Sequence, residues 1–201
     1  MGHLQKTIAL LAFLILSACA NVQDDTFGVV SSNKIDSAIR IVRYDVIVPR
    51  ELTVSEANLY WPMADIVWRD DPPGDRHQQI QKLVEDSMEW GLTAFNAGNQ
   101  AIVTIEIQKF HALSQKARYT VGGVHTMRFQ MLVWDATSGE PIYGPVAINA
   151  DLNALGGAAA IQADAEGRTQ KARIRQHLAG TVQRALLEAG LGQIKGKEPS
   201  G

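Results

Sequence analysis

The chain has 201 residues, 46% of them apolar and 20% charged, with 19 basic and 21 acidic side chains and a net charge of −2. That balance shows no basic footprint and gives no support to a nucleic-acid partner. A single cysteine rules out an internal disulfide framework, while the apolar share suffices for one ordinary domain with its own core.

Lys6 and then the apolar run Thr7 to Leu16 open the chain as a short charged region followed by a hydrophobic one. About ten residues is too short for a membrane-spanning helix, which needs roughly twenty, so residues 1–18 are expected to be an export signal. The run ends Leu16-Ser17-Ala18-Cys19, which matches the bacterial lipobox. Cys19, the one cysteine, is therefore expected to become the lipidated first residue of a mature chain tethered to a membrane and facing the periplasm. A diacylglycerol plus an amide-linked acyl chain exceeds what stable anchoring needs. Ala20 stands where lipoproteins retained at the inner membrane of enteric bacteria carry aspartate, so that resemblance favours the outer membrane. Loss of residues 1–18 removes one lysine, leaving 18 basic and 21 acidic residues.

Residues 19–37 are polar and without period, as suits a tether. A single domain is expected over 38–190, with a disordered tail over 191–201. Val42, Tyr44, Val46 and Val48 alternate with Arg43, Asp45 and Ile47 in a first strand that stops at Pro49. Residues 50–74 form a long connection with Trp61, Trp68 and a run of turn formers. Asp75 and Gln78 have capping-box spacing, and Ile80, Leu83, Val84, Ser87, Gly91 and Phe95 keep one helical face up to Gly98. Val103, Ile105 and Ile107 mark a second strand, and Met127, Phe129, Met131 and Val133 a third. Residues 141–152 return as a fourth whose prolines suit an edge. The stretch 153–167 reads as loop with helical turns, and 169–189 as a second helix carrying Ile174, Leu178, Val182 and Leu186 on one stripe.

The order β-α-β-β-β-α predicts a two-layer α+β domain, with a roughly four-stranded, mainly antiparallel sheet covered on one face by two helices. That architecture is similar to small envelope lipoproteins, including those of lipopolysaccharide assembly and the auxiliary lipoproteins of lipid-transport ABC systems. The segments ADIVWRDDPPGDRH (64–77) and FHALSQKARYTVGGVH (110–125) resemble a family of uncharacterised alphaproteobacterial lipoproteins. The resemblance implies no activity and carries over no functional residue beyond the lipobox cysteine.

Pairing Val103 with Val133, Ile105 with Met131 and Ile107 with Phe129 would set His111 opposite His125. Two imidazoles are too few for a structural zinc site, and neither spacing nor the anchor cysteine adds a third ligand. No metal and no cofactor is expected. Asp70, Asp71 and Asp75 lack calcium-loop spacing and read as turn and cap residues. Gly122-Gly123 and Gly156-Gly157 read as turns. No Gly-x-Ser-x-Gly elbow, His-Glu-x-x-His helix or reactive Cys/His set occurs, so the expected role is non-catalytic.

The leading expectation is a lipid-anchored module that docks an envelope protein. The alternatives are a lipid-transport auxiliary holding an acyl chain between sheet and helices, and a hydrolase with an unrecognised site. On the face of the sheet turned from the helices, Ile102, Leu132 and Trp134 gather at one end, rimmed by Glu106 and Arg128, with Ile41 and Ile47 on the same side. They form either a partner surface or a patch covered by the Trp61/Trp68 connection.

Overall fold

A computed structural model describes residues 38–192. The expected export signal, Cys19 and the tether lie outside the described residues, as does the tail from 193. The elements are strands β1 (Ile39–Ile47), β2 (Ile66–Val67), β3 (Asn99–His111), β4 (Gly123–Asp135), β5 (Pro141–Asn149) and β6 (Leu152–Ala154), and helices α1 (Arg76–Gly91), α2 (Gln115–Arg118), α3 (Gly157–Ala165) and α4 (Gln170–Glu188).

The sheet is mixed, with six strands, and not a four-stranded antiparallel one. Its main order is β1-β3-β4-β5, with β2 continuing beside the end of β3 and β6 beside the start of β4. β1 runs parallel to β3 because the chain leaves the far end of β1, crosses back through α1 and enters β3 at the end where β1 began. The β3–β4 and β4–β5 pairs are antiparallel. β5 is the outer strand of that order, as its prolines require.

Val103, Ile105 and Ile107 on β3 and Phe129, Met131 and Val133 on β4 are buried in the same cluster as Ile80, Leu83, Val84 and Met88 of α1 and Ile174, Leu178, Val182 and Leu186 of α4. Each such side chain contributes about 1.5–3 kcal/mol on burial. The two long helices meet where Gly91 lies so close to Ala179 that a Cβ on it would sit 2.7 Å from that residue's carbonyl oxygen.

Several expected boundaries move. α1 stops at Gly91, where Leu92 donates back to the Met88 carbonyl; Phe95 is buried beyond the helix. The expected fourth strand ends at Asn149, and Asp151 caps the break by accepting from the Met127 N–H at 3.1 Å. Leu191 is fully buried and its carbonyl accepts from the Ile39 N–H, so packing runs one residue past the expected end of the domain.

Two bulges decide which side chains face which layer. Val42 has no partner between the Ile41–Ala101 and Arg43–Ile102 pairs. The extra residue turns Ile41 toward the core and leaves only Ile47 of β1's two expected residues on the open face. Gln108 is the second extra residue, between Ile107–Phe129 and Lys109–Arg128.

Candidate functional site

The bulge at Gln108 separates the two histidines. The expected pairs Val103–Val133, Ile105–Met131 and Ile107–Phe129 are all present, but beyond the bulge His111 stands opposite Thr126 and not His125. His125 is 1% exposed, and its Nδ1 accepts from the Leu113 N–H at 3.3 Å. Burial, aided by the positive charge of Arg173 and Arg118, pushes its imidazole down to about 3. Burial and the nearby Lys109 also lower His111. Among the described residues no group of three or more His, Cys, Asp or Glu is placed to hold a metal.

Asp70 and Asp71 do more than turn the chain. The Asp70 carboxylate receives the Arg118 guanidinium of α2 at 2.9 Å, Gln170 Nε2 at 3.2 Å and the Lys171 backbone N–H of α4 at 3.0 Å. Burial pushes its carboxyl above the usual value, opposed by Arg118 and that N–H. Asp71 accepts from Trp68 Nε1 at 2.7 Å and from Lys171 Nζ at 2.5 Å; these bonds outweigh burial and hold its carboxyl low. Arg118 also pairs with Asp164 on α3. Asp75 caps α1 by accepting from the Gln78 N–H, as its spacing predicts. Arg76, itself buried, binds Glu56 through two N–H groups and also reaches the Asp71 and Pro72 carbonyls. These charges are consumed in locking the connection, α2, α3 and α4 together. Pairing across about a hundred residues has no local pattern, so sequence reading missed it.

On the open face Ile102 pairs with Trp134 and Thr104 with Leu132, so Ile102, Leu132 and Trp134 do come together. All three are half-buried. Trp134 Nε1 donates to the Thr104 hydroxyl at 3.0 Å, which pins the indole across β3. Beside it is a mainly apolar hollow of about 110 Å³ lined by Thr104, Glu106, Gln130, Leu132 and Pro145. The connection does not cover this end. Its β2 pairs with Phe110 and His111 at the far end of β3, and Trp68 is fully buried there, edge-on to Phe110 at 5.8 Å.

A second concavity of about 380 Å³ lies at that far end. Tyr60, Trp61, His111, Val121, Val124 and Thr126 are among the residues that line it. Of the two tryptophans in the connection, Trp68 is buried in the domain and Trp61 is exposed.

The fold and its surfaces define a two-layer, mixed α/β domain whose buried charged groups are held in internal latches and whose sheet keeps one face open. The chain belongs to the family of unknown function DUF6778, whose model matches residues 39–198. No curated protein and no solved structure matches it. Among the described residues no helix is long and apolar enough to cross a membrane.

Proposed function

We propose that this chain is an envelope lipoprotein of alphaproteobacterial type, anchored through acyl chains on Cys19 and facing the periplasm from the outer membrane. In this reading it acts as a non-catalytic docking module for another envelope protein. The observation that carries it is the open-face hollow beside the pinned Trp134, with Ile102 and Leu132 around it. A fixed aromatic next to an apolar depression with a polar rim of Glu106 and Gln130 is the form in which protein partners are anchored. The space between sheet and helices is filled by the buried side chains of one cluster, which favours docking over acyl-chain holding.

The test is a photo-crosslinking side chain placed at Leu132 in intact cells, with Lys82 on the solvent side of α1 as control. A protein adduct is expected from position 132 alone, and Trp134→Ser should remove it. That substitution costs about 1–2 kcal/mol, too little to unfold the domain. The same adducts from both positions, or an adduct indifferent to Trp134, would overturn the docking surface.

A further inference from the structure

At the end of the sheet away from Trp134, the connection before β2 and the turn into β4 raise apolar side chains into solvent. Trp61 is 81% exposed, Met63 95%, Val121 70% and Val124 46%, with Tyr60 beside them. Tyr60, Trp61, Val121 and Val124 border one cleft. An exposed tryptophan among neighbouring apolar groups is uncommon on a protein surface unless something receives it.

The backbone beneath is fixed. Ser114 Oγ donates to the Leu59 carbonyl at 2.6 Å, and the Lys116 N–H donates to Asn58 Oδ1 at 2.7 Å. The Lys116 ammonium sits 4.6 Å from the centre of the Tyr60 ring, and the Tyr60 and Trp61 rings are 6.1 Å apart.

Charge is distributed in layers. Residues 57–64 carry no charged side chain, and residues 109–126 carry Lys109, Lys116 and Arg118 but no acid. Arg118 is committed to Asp70 and Asp164, so the charge next to a neutral, aromatic tip comes from Lys116 beside Tyr60 and from Lys109, which has Asp65 near it.

We infer that the tip formed by residues 57–64 and 119–124 inserts into the interfacial layer of a lipid bilayer bearing anionic headgroups. Tryptophan and tyrosine favour that layer because one part of the ring is apolar and another is polar, and lysines behind them meet acidic headgroups. The reach is sufficient, a point that alone rests on the Cys19 anchor. Ala38 enters at the opposite end of the sheet, where its carbonyl accepts from the Asn99 N–H. The 13 residues of β3 separate that entry from the tip, a span of about 43 Å. A stretch of 18 residues, the number between Cys19 and Ala38, can span at most about 60 Å, so the tip is within reach of the bilayer that holds the lipid.

The full chain is mixed with vesicles of phosphatidylethanolamine and phosphatidylglycerol, with and without brominated acyl chains, and tryptophan emission is read. The wild type is expected to be quenched several-fold more than Trp61→Phe, an exposed substitution that leaves the core intact. Equal quenching of the two overturns the insertion. So does a Trp61 emission shift that follows protein concentration without vesicles, because it would identify a second copy of this chain as the occupant. Palmitate incorporation at Cys19, measured in parallel, reports the anchor separately.

Discussion

The backbone N–H of Lys171 donates to the Asp70 carboxylate at 3.0 Å, joining the first turn of α4 to a loop 101 residues earlier in the chain. The same carboxylate holds Arg118 at 2.9 Å, and both side chains of that pair are largely buried. Removing it leaves a guanidinium inside with only Asp164 as partner.

Asp70→Ala should therefore cost about 3 kcal/mol, the low end of what breaking one side of a buried pair costs, because Asp164 still holds Arg118. Asp70→Asn should cost less, since an amide oxygen still accepts from the α4 N–H while the burial penalty on the charge disappears. Denaturant unfolding of both variants is the check, and equal losses would show that the carboxylate's charge decides nothing.

His125 predicts a specific pH dependence. Its imidazole is neutral in the fold down to about 3, against 6.5 when unfolded, because of burial and the facing Arg173 and Arg118. The unfolded chain thus binds more protons between these values. The stability due to neutral His125 is complete above 6.5 and is lost progressively as pH falls toward about 3. His125→Gln retains an acceptor for the Leu113 N–H and should cost about 1–2 kcal/mol at neutral pH. Its melting temperature should approach that of the wild type on acidification; a gap constant with pH would contradict the buried neutral imidazole.

Gly91→Ala tests the α1–α4 contact. The added methyl would meet the Ala179 backbone at 2.7–3.1 Å, and backbone gives way less readily than a side chain. A loss of about 1–3 kcal/mol is expected despite alanine's better helix propensity. Gly180→Ala on α4, next to Ala179, meets only the end of the Arg184 side chain and serves as the comparison.

Cys19→Ala should abolish acylation and leave a retained precursor in cells fed labelled palmitate. Label that persists on the variant would place the acyl group elsewhere and end the lipoprotein reading.

The sequence was most legible where one periodicity ran uninterrupted. The stripe of Ile174, Leu178, Val182 and Leu186 announced α4, and the Asp75–Gln78 spacing announced the α1 cap, which forms as a hydrogen bond of 3.1 Å. The β3–β4 pairs supposed from Val103 to Ile107 are present, alternation having fixed the face those residues share. The gathering of Ile102, Leu132 and Trp134 followed from the same register. Short elements without a full period, β2, β6 and α2, were not legible, and α3 only as helical turns within a loop, because two to nine residues bury too little in a repeating pattern to stand out.

The sequence by itself determined the long helices, the long strands and the apolar face each presents, because those depend on residues a few positions apart. Only the tertiary structure decided where alternation breaks. One unpaired residue at Val42 sent Ile41 to the core, and one at Gln108 set His111 and His125 out of register. A bulge costs little locally and is chosen by what packs on either side, so a single strand's sequence does not reveal it. The parallel β1–β3 pairing and the Asp70–Arg118–Lys171 latch likewise depend on contacts between distant segments, which no local pattern encodes. The uncovered Trp61 tip has the same origin: Trp61 and Trp68 share one connection, and only the path of β2 beside β3 buries one and leaves the other in solvent.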